Sequence, residues 1–134
     1  MSDKLFFDTN VLVYAVGNDA RRKPLALAWL SRGGTVSVQV LNEFTNTARC
    51  KLDRTWDDVA AALETLRILF RECVSLTEQT HHTAVGLSRE HGFRLYDALI
   101  VASALETNCT ILVSEDMQHG RLIDGRLTIR DPFR

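Results

Sequence analysis

In the stretch Leu5-Phe6-Phe7-Asp8-Thr9-Asn10, an apolar segment ends on a carboxylate that is followed at once by polar residues. The apolar residues predict a short buried strand, and the apolar run that continues to Val16 predicts a helix directly after it. Asp8 therefore lies at the carboxyl end of a buried strand and not on an open surface. Taken alone, it could be no more than the N-cap of the following helix.

Strands and helices alternate along the rest of the chain. Further strands are predicted over residues 35–40, 73–76 and 110–113, and a fifth at 127–129 would lie at an edge. The intervening helices are predicted at 10–16, from Pro24 to Leu30, at 41–52, after an N-cap at Thr55, at 77–91 and at 95–106. This order predicts an α/β fold in which a central, mostly parallel sheet of four to five strands is flanked by helices on both faces.

Length and composition are those of one globular domain spanning residues 1–134, with 46% hydrophobic and 25% charged residues. The formal net charge of −1 gives no global attraction for a polyanion, so a nucleic acid would have to be attracted by local basic patches and by bound metal. Three scattered cysteines favour free thiols in a reducing compartment. With no signal-peptide pattern and no apolar stretch of membrane-spanning length, we expect a cytoplasmic protein with no membrane association.

Four carboxylates lie close to the ends of predicted strands or to the start of a predicted helix: Asp8, Glu43, Asp97 and Asp116. Three of them follow predicted strands, and Asp97 lies in the first turn of a helix that is otherwise apolar. Because sites in open parallel sheets form beyond the carboxyl ends of the strands, the four are expected to meet at one edge. Carboxylates gathered in one place repel one another unless a hard cation such as Mg²⁺ or Mn²⁺ neutralises them. The pattern therefore predicts a metal site that hydrolyses phosphodiesters.

Each of these acids also has a simpler explanation when it is considered alone. Asp8 could cap a helix, Glu43 could be a first-turn helix acid, and Asp116 could be a turn residue. Asp97 could be a buried carboxylate that caps neighbouring backbone. It is their expected convergence that favours a site.

Four segments carry a resemblance to a known family. They are Phe6-Phe7-Asp8-Thr9-Asn10-Val11-Leu12, Val40-Leu41-Asn42-Glu43-Phe44, Tyr96-Asp97-Ala98-Leu99-Ile100-Val101-Ala102 and Leu112-Val113-Ser114-Glu115-Asp116. Together they resemble the PIN-domain nucleases and, more narrowly, the VapC toxins of bacterial toxin–antitoxin pairs. The resemblance covers essentially the full length, with all four acids in the expected order.

The resemblance implies a PIN fold and an endoribonuclease that depends on Mg²⁺ or Mn²⁺. It also implies a homodimer and a small antitoxin protein that blocks the site. Asp8, Glu43, Asp97 and Asp116 become the catalytic and metal-binding quartet, and Asn10 and Ser114 become the residues that support it through hydrogen bonds. Ser114 stands where threonine is often found, which keeps the hydroxyl. The segment Met117-Gln118-His119-Gly120 lacks the aromatic residue often seen after the fourth acid.

The expected reaction is hydrolysis of RNA phosphodiesters by water that one or two divalent ions activate. The substrate's phosphates need nearby cations, and the candidates are Arg21, Arg22 and Lys23, the group Arg49, Lys51 and Arg54, and Arg94. The four histidines are expected on or near the surface, with no part in catalysis.

Other functions are compatible with parts of this pattern. A phosphoacceptor receiver domain also combines a parallel sheet with acids and Mg²⁺, but it needs adjacent acids after its first strand and a lysine near its last. This chain has Asp8 alone there and no lysine after Lys51. A PIN-like domain that no longer cleaves, and serves only as an interaction module, is a second alternative. A metal-dependent DNA nuclease is a third, since the same chemistry cuts both nucleic acids.

Overall fold

A computed structural model describes residues 3–134 and shows strands alternating with helices along the chain. In chain order the elements are β1 (Leu5–Phe7), α1 (Thr9–Val16), α2 (Arg22–Ser31), β2 (Thr35–Ser37), α3 (Val38–Cys50), α4 (Trp56–Leu69), β3 (Glu72–Val74), α5 (Glu78–His91), α6 (Leu95–Glu106), β4 (Ile111–Val113), β5 (Leu122–Ile123) and β6 (Leu127–Arg130). None of the helices within the described range is both long and apolar enough to cross a membrane.

The strands of the described chain form one sheet in the order β3-β2-β1-β4-β6-β5. All pairs are parallel except β5 with β6, so the predicted α/β fold with a mostly parallel sheet flanked by helices is confirmed. The sheet has six strands where four to five were expected. β6 pairs with β4 and is covered on its other side by β5, so the expectation that residues 127–129 form an edge is wrong. Two-residue β5 was missed because it is too short to produce a periodic pattern.

The centre of the sheet is β1, which pairs with β2 on one side and β4 on the other. Successive side chains of a strand point to opposite faces, yet Phe6 and Phe7 are both fully buried. Both faces of β1 are therefore covered. The burial extends to α6, in which every residue from Ala98 to Leu105 is buried, as its apolar sequence predicted.

The second strand is shorter than the sequence suggested. β2 ends at Ser37, and residues 38–40, for which the β-branched Val38 and Val40 predict a continuation of the strand, begin α3. The Ser37 hydroxyl accepts a hydrogen bond from the Val40 amide at 3.3 Å, so it caps the helix. Glu43 consequently lies within α3 and does not follow a strand directly.

Several element ends agree with the sequence pattern. α6 has the predicted bounds, and Thr55 caps α4 in a reciprocal pair with Asp58. Gly92 ends α5 with a φ of 76°, in the left-handed conformation that glycine adopts at least cost.

We predict that Ser37→Ala lowers the free energy of unfolding by about 1–2 kcal/mol, because it removes a fully buried N-cap. Urea denaturation measures the change. Ser31→Ala is the matched control, since the exposed Ser31 hydroxyl donates only to the Ala28 carbonyl, and it should cost less than about 0.5 kcal/mol. Equal effects of the two substitutions would show that Ser37 does not set the start of α3.

Candidate active site

The four predicted acids line one pocket of about 360 Å³ beyond the carboxyl ends of β1 and β4. Asp8 follows β1 directly, Asp116 lies shortly after β4, Glu43 projects from α3, and Asp97 lies in the first turn of α6. Asn10 also lines the pocket. The structure thus gathers side chains that are distant in the sequence into one place.

Asp8 is the most enclosed of the four acids, with 4% of its surface exposed. Its carboxylate accepts hydrogen bonds from the Ser114 hydroxyl at 2.6 Å, the Thr9 amide at 2.7 Å and the Asn10 side-chain amide at 3.3 Å. Burial raises the pKa of Asp8 to about 6, although the hydrogen bonds from Ser114 and Thr9 lower it. The negative charges of Asp97 and Asp116 raise this pKa further.

Asn10 joins the β1 and β4 sides of the pocket. Its Nδ2 lies 3.3 Å from an oxygen of Asp8, 3.3 Å from an oxygen of Asp116 and 3.4 Å from the Ser114 hydroxyl. Its Oδ1 accepts a hydrogen bond from the Glu115 amide at 3.2 Å. The Ser114 hydroxyl in turn accepts from the Asp116 amide at 3.2 Å. Asn10 and Ser114 therefore contact the acids they were expected to support.

Glu43 and Asp97 complete the acidic wall of the pocket. Burial, followed by the charges of Asp8 and Asp97, raises the pKa of Glu43 to about 7. The Thr9 hydroxyl donates to Glu43 at 3.5 Å. Burial also raises the pKa of Asp97, while Arg94 lowers it and Asp116 raises it. Each of these acids is thus destabilised as an anion by its surroundings.

The donor set suits a hard divalent cation. Every acid offers carboxylate oxygens, the ligand type that Mg²⁺ and Mn²⁺ prefer, and added positive charge would offset the burial and repulsion that raise the pKa values of Asp8, Glu43 and Asp97. The ligand atoms of these acids stand too far apart for three of them to lie within 4.8 Å of one another. Across residues 3–134 the one group of histidine, cysteine or acidic side chains that meets this distance is elsewhere, at Glu90, His91 and Asp124. Mg²⁺ usually keeps several water ligands, which suits donors at such a spacing.

Chemistry, and not size, distinguishes this pocket. A larger cavity of about 660 Å³ lies at the amino-terminal ends of β1, β2 and β3. Its lining mixes basic side chains, including Arg32 and Arg71, with Asp3 and Glu72. It therefore gathers no set of carboxylates comparable to the acidic pocket.

The sequence did not single out Glu115, a further carboxylate in the pocket lining. Its side chain is paired with Arg22 at 2.9 Å, and Arg22 also contacts Asp19 at 3.2 Å and lies over the ring of Tyr14. The position of Glu115 beside Asp116 was a usable signal. Its pairing with Arg22 could not be predicted, because Arg22 is remote from Glu115 in the sequence. Thr9, Thr47 and Lys51 also line the pocket.

Among the basic candidates, Arg94 and Lys51 line the acidic pocket. Arg94 is 94% exposed and lies 4.0 Å from Asp97. The other candidates, Arg21, Arg22, Lys23, Arg49 and Arg54, are not part of the lining. Arg21 donates to the Phe133 carbonyl at 2.8 Å, and Arg49 donates to the Arg54 carbonyl at 2.7 Å and lies over the ring of Trp56. The structure therefore separates Lys51 and Arg94 at the pocket from Arg21, Arg22 and Arg49, whose side chains make contacts within the fold.

Comparisons with known proteins agree with this architecture. A family model described as PIN domain matches residues 5–123. No curated protein sequence matches the chain.

Solved structures similar to this chain come from bacterial toxin–antitoxin systems. A toxin–antitoxin complex from Klebsiella pneumoniae is 20% identical, with 96% of this chain and 98% of that chain covered and a TM-score of 0.72. VapBC2 from Rickettsia felis, bound to a DNA fragment from its promoter, is 18% identical, with 95% and 98% covered and a TM-score of 0.69. The sarcin-ricin-loop-cleaving toxin VapC20 of Mycobacterium tuberculosis is 20% identical, with 84% and 90% covered and a TM-score of 0.65. At these identities the likeness is one of fold.

We predict that the metal-free protein loses stability as the pH rises from about 4 to about 7. The folded-state pKa values of Asp8 and Glu43 are raised to about 6 and about 7, from ordinary values of 3.8 and 4.5. The folded protein therefore binds protons that the unfolded chain has already released, and this stabilisation disappears as the pH passes the folded values. Urea denaturation in EDTA at pH 4.0 and pH 8.0 measures the difference.

Asp8→Asn should remove the part of this slope that Asp8 contributes, which is at most about 3 kcal/mol for a shift of roughly two pKa units. Glu64→Gln is the control, because Glu64 is exposed on α4, and it should leave the slope unchanged. An Asp8→Asn protein with the slope of the wild type would contradict the burial argument.

Proposed function

Because this chain belongs to the PIN-domain family, we propose that it is a divalent-metal-dependent endoribonuclease and the toxin of a toxin–antitoxin pair. The observation that carries the proposal is the pocket in which Asp8, Glu43, Asp97 and Asp116 come together. Membership of this family of nucleases supports hydrolysis of nucleic acids as the class of activity. The choice of RNA, the metal and the antitoxin belong to the proposal.

Asp8 and Asp97 would hold the cation most directly, with Glu43 and Asp116 completing the oxygen donors around Mg²⁺ or Mn²⁺. The bound cation supplies Lewis-acid charge, which makes a water molecule more acidic and stabilises the negative charge that builds up on the phosphoryl oxygens. The repulsion among the acids favours this occupant. Relief of that repulsion is a contribution to binding that a surface carboxylate pair would lack.

The chain's own residues position and deprotonate the reactants. Ser114, Thr9 and Asn10 fix Asp8, so its oxygens need little reorganisation when a ligand binds. Burial raises the pKa of Glu43 to about 7 in the metal-free pocket, and a Glu43 that does not ligate the cation directly would be placed to take up the proton that the attacking water releases.

Lys51 and Arg94 would bind the RNA backbone. They line the same pocket as the acids, and they have the charge and reach to contact phosphates on either side of the scissile bond. The pocket floor is thus acidic while its rim carries cations. This arrangement attracts a polyanion locally in a protein whose net charge is −1.

The proposed partners follow from the similar structures. One is a toxin–antitoxin complex, and another is a VapBC pair bound to promoter DNA. By analogy, this chain would bind a small antitoxin that blocks the acidic pocket, would form a homodimer and would act in the cytoplasm. Exposed Leu95 and Tyr96, next to Asp97, offer apolar contact area beside the pocket.

Two other functions use the same fold. A metal-dependent DNA nuclease would use the same acids, and VapC20, whose target is an RNA loop, is the observation that favours RNA. A catalytically silent interaction module would not need four acids in one pocket, with Asp8, Glu43 and Asp97 destabilised as anions by burial.

We predict that the purified protein cleaves a labelled structured RNA such as tRNA with Mg²⁺ or Mn²⁺ and not with EDTA. Asp97→Asn should lower the cleavage rate by at least about 100-fold, because it removes a proposed cation ligand. Asp57→Asn is the matched control, since Asp57 is also a first-turn helix acid but is exposed on α4. It should cleave like the wild type.

Wild type and Asp97→Asn acting alike on several RNAs, while Mn²⁺ still raises the melting temperature, would contradict the nuclease and favour the interaction module. Faster metal-dependent cleavage of single-stranded DNA than of RNA would favour the DNA nuclease.

The two rim cations should contribute to substrate binding more than to the chemical step. We predict that Lys51→Ala with Arg94→Ala raises KM by about tenfold, changes kcat by less than about threefold and flattens the salt dependence of KM. Arg67→Ala with Arg89→Ala removes the same charge from exposed helix positions and should leave KM within about twofold. A double variant that loses kcat at unchanged KM would contradict this role.

A further inference from the structure

The carboxyl end of α5 meets the turn between β5 and β6 at a group of three ligand-type side chains. Nε2 of His91 lies 3.5 Å from Oδ1 of Asp124 and 3.9 Å from Oε2 of Glu90. The three ligand atoms all lie within 4.8 Å of one another. None of these residues lines the acidic pocket, so the group is separate from the proposed active site.

The histidine nitrogen is the most informative atom of the group. Nε2 of His91 is shielded from solvent and has no hydrogen-bond partner among the described residues, although the whole side chain is 26% exposed. A buried ring nitrogen without a partner is costly unless something else binds it. The carboxylate oxygens of Asp124 and Glu90, at 3.5 and 3.9 Å, form no hydrogen bond with it. The three ligand atoms are therefore close enough together to contact one small cation.

The distances fit one ion. Two donor atoms that each lie about 2.0–2.2 Å from one Zn²⁺ stand about 3.4 Å apart at a tetrahedral angle, and they can be no more than about 4.4 Å apart. The His91–Asp124 and His91–Glu90 separations of 3.5 and 3.9 Å fall inside this limit. Glu90 is 71% exposed, so its side chain can move to bring its carboxylate within the same limit of the Asp124 carboxylate.

The surrounding structure fixes two of the three donors. His91 ends α5 at the left-handed Gly92, and its carbonyl accepts a hydrogen bond from Arg121 at 3.1 Å. The same Arg121 lies over the ring of Phe93 at 4.5 Å. Asp124 sits in the tight turn between β5 and β6 with a φ of 51°. His91 and Asp124 are therefore presented by backbone that is already ordered.

We propose that Glu90, His91 and Asp124 form a second metal site, which binds Zn²⁺ through one imidazole nitrogen and two carboxylates, with water completing the coordination. An imidazole with carboxylates is a donor set that zinc accepts, whereas the all-oxygen pocket suits Mg²⁺ or Mn²⁺. The bound ion would cross-link the carboxyl end of α5 to the turn between β5 and β6. The site does not depend on the nuclease proposal, because it shares no residue with the acidic pocket.

The test is titration calorimetry with Zn²⁺ alone on protein that carries Asp8→Asn and Asp97→Asn, so that binding in the acidic pocket is weakened. We expect one Zn²⁺ per chain, and a melting temperature that rises with zinc. His91→Ala should weaken this binding at least about tenfold, and Asp124→Asn should do the same. Asparagine tolerates the left-handed conformation at position 124, so the second variant tests the ligand without straining the turn.

His82→Ala is the matched control, because His82 is an exposed histidine of the same helix, and it should bind zinc like the parent protein. Co²⁺ in place of Zn²⁺ should give visible absorption bands that are lost with His91→Ala and kept with His82→Ala. Folded protein that binds no zinc, or binding that survives both His91→Ala and Asp124→Asn, would overturn the site and leave an ion pair between His91 and its two acids.

Discussion

The burial of carboxylates in one pocket, together with the repulsion among them, is the constraint on which the rest of the structure depends. Asp8 is nearly inaccessible to water and its pKa is raised to about 6, so its anion is stable only with help from its neighbours. Burial likewise raises the pKa of Glu43, to about 7, and that of Asp97. A fold that retains such a group loses stability locally, and a cation that binds there restores it. The burial and repulsion that destabilise these anions would therefore also favour the binding of a cation.

The parallel sheet makes this crowding possible, because it brings the ends of β1 and β4 side by side. Hydrogen bonds then hold the acids where repulsion would separate them. Asn10 reaches both Asp8 and Asp116, and Ser114 donates to one and accepts from the amide of the other. The pairing of Glu115 with Arg22 offsets a further negative charge at the pocket edge. The site is therefore a balance of charges distributed over several elements.

Much of this could be predicted from local sequence. The strand that ends in Asp8 and the apolar helix around Asp97 have strong patterns, and the parallel order brings the acids to one edge. The end of β2 could not be predicted, because the β-branched Val38 and Val40 favour a strand until the Ser37 cap is known. The partners of Arg22 and Arg49 could not be predicted either. Tertiary contacts decide whether a basic side chain is available to bind substrate or is already paired with another residue of the chain. The catalytic and metal-binding roles of the quartet are still predictions.

The most direct test of the account is anomalous diffraction from crystals of this protein grown with Mn²⁺, because it locates the ion without reference to activity. The account predicts a manganese peak in the acidic pocket with oxygens of Asp8 and Asp97 as direct or water-bridged ligands. It also predicts that the peak is lost from crystals of Asp8→Asn. Wild-type crystals with manganese bound elsewhere and the acidic pocket filled only by water would contradict the central claim that these acids form a cation site.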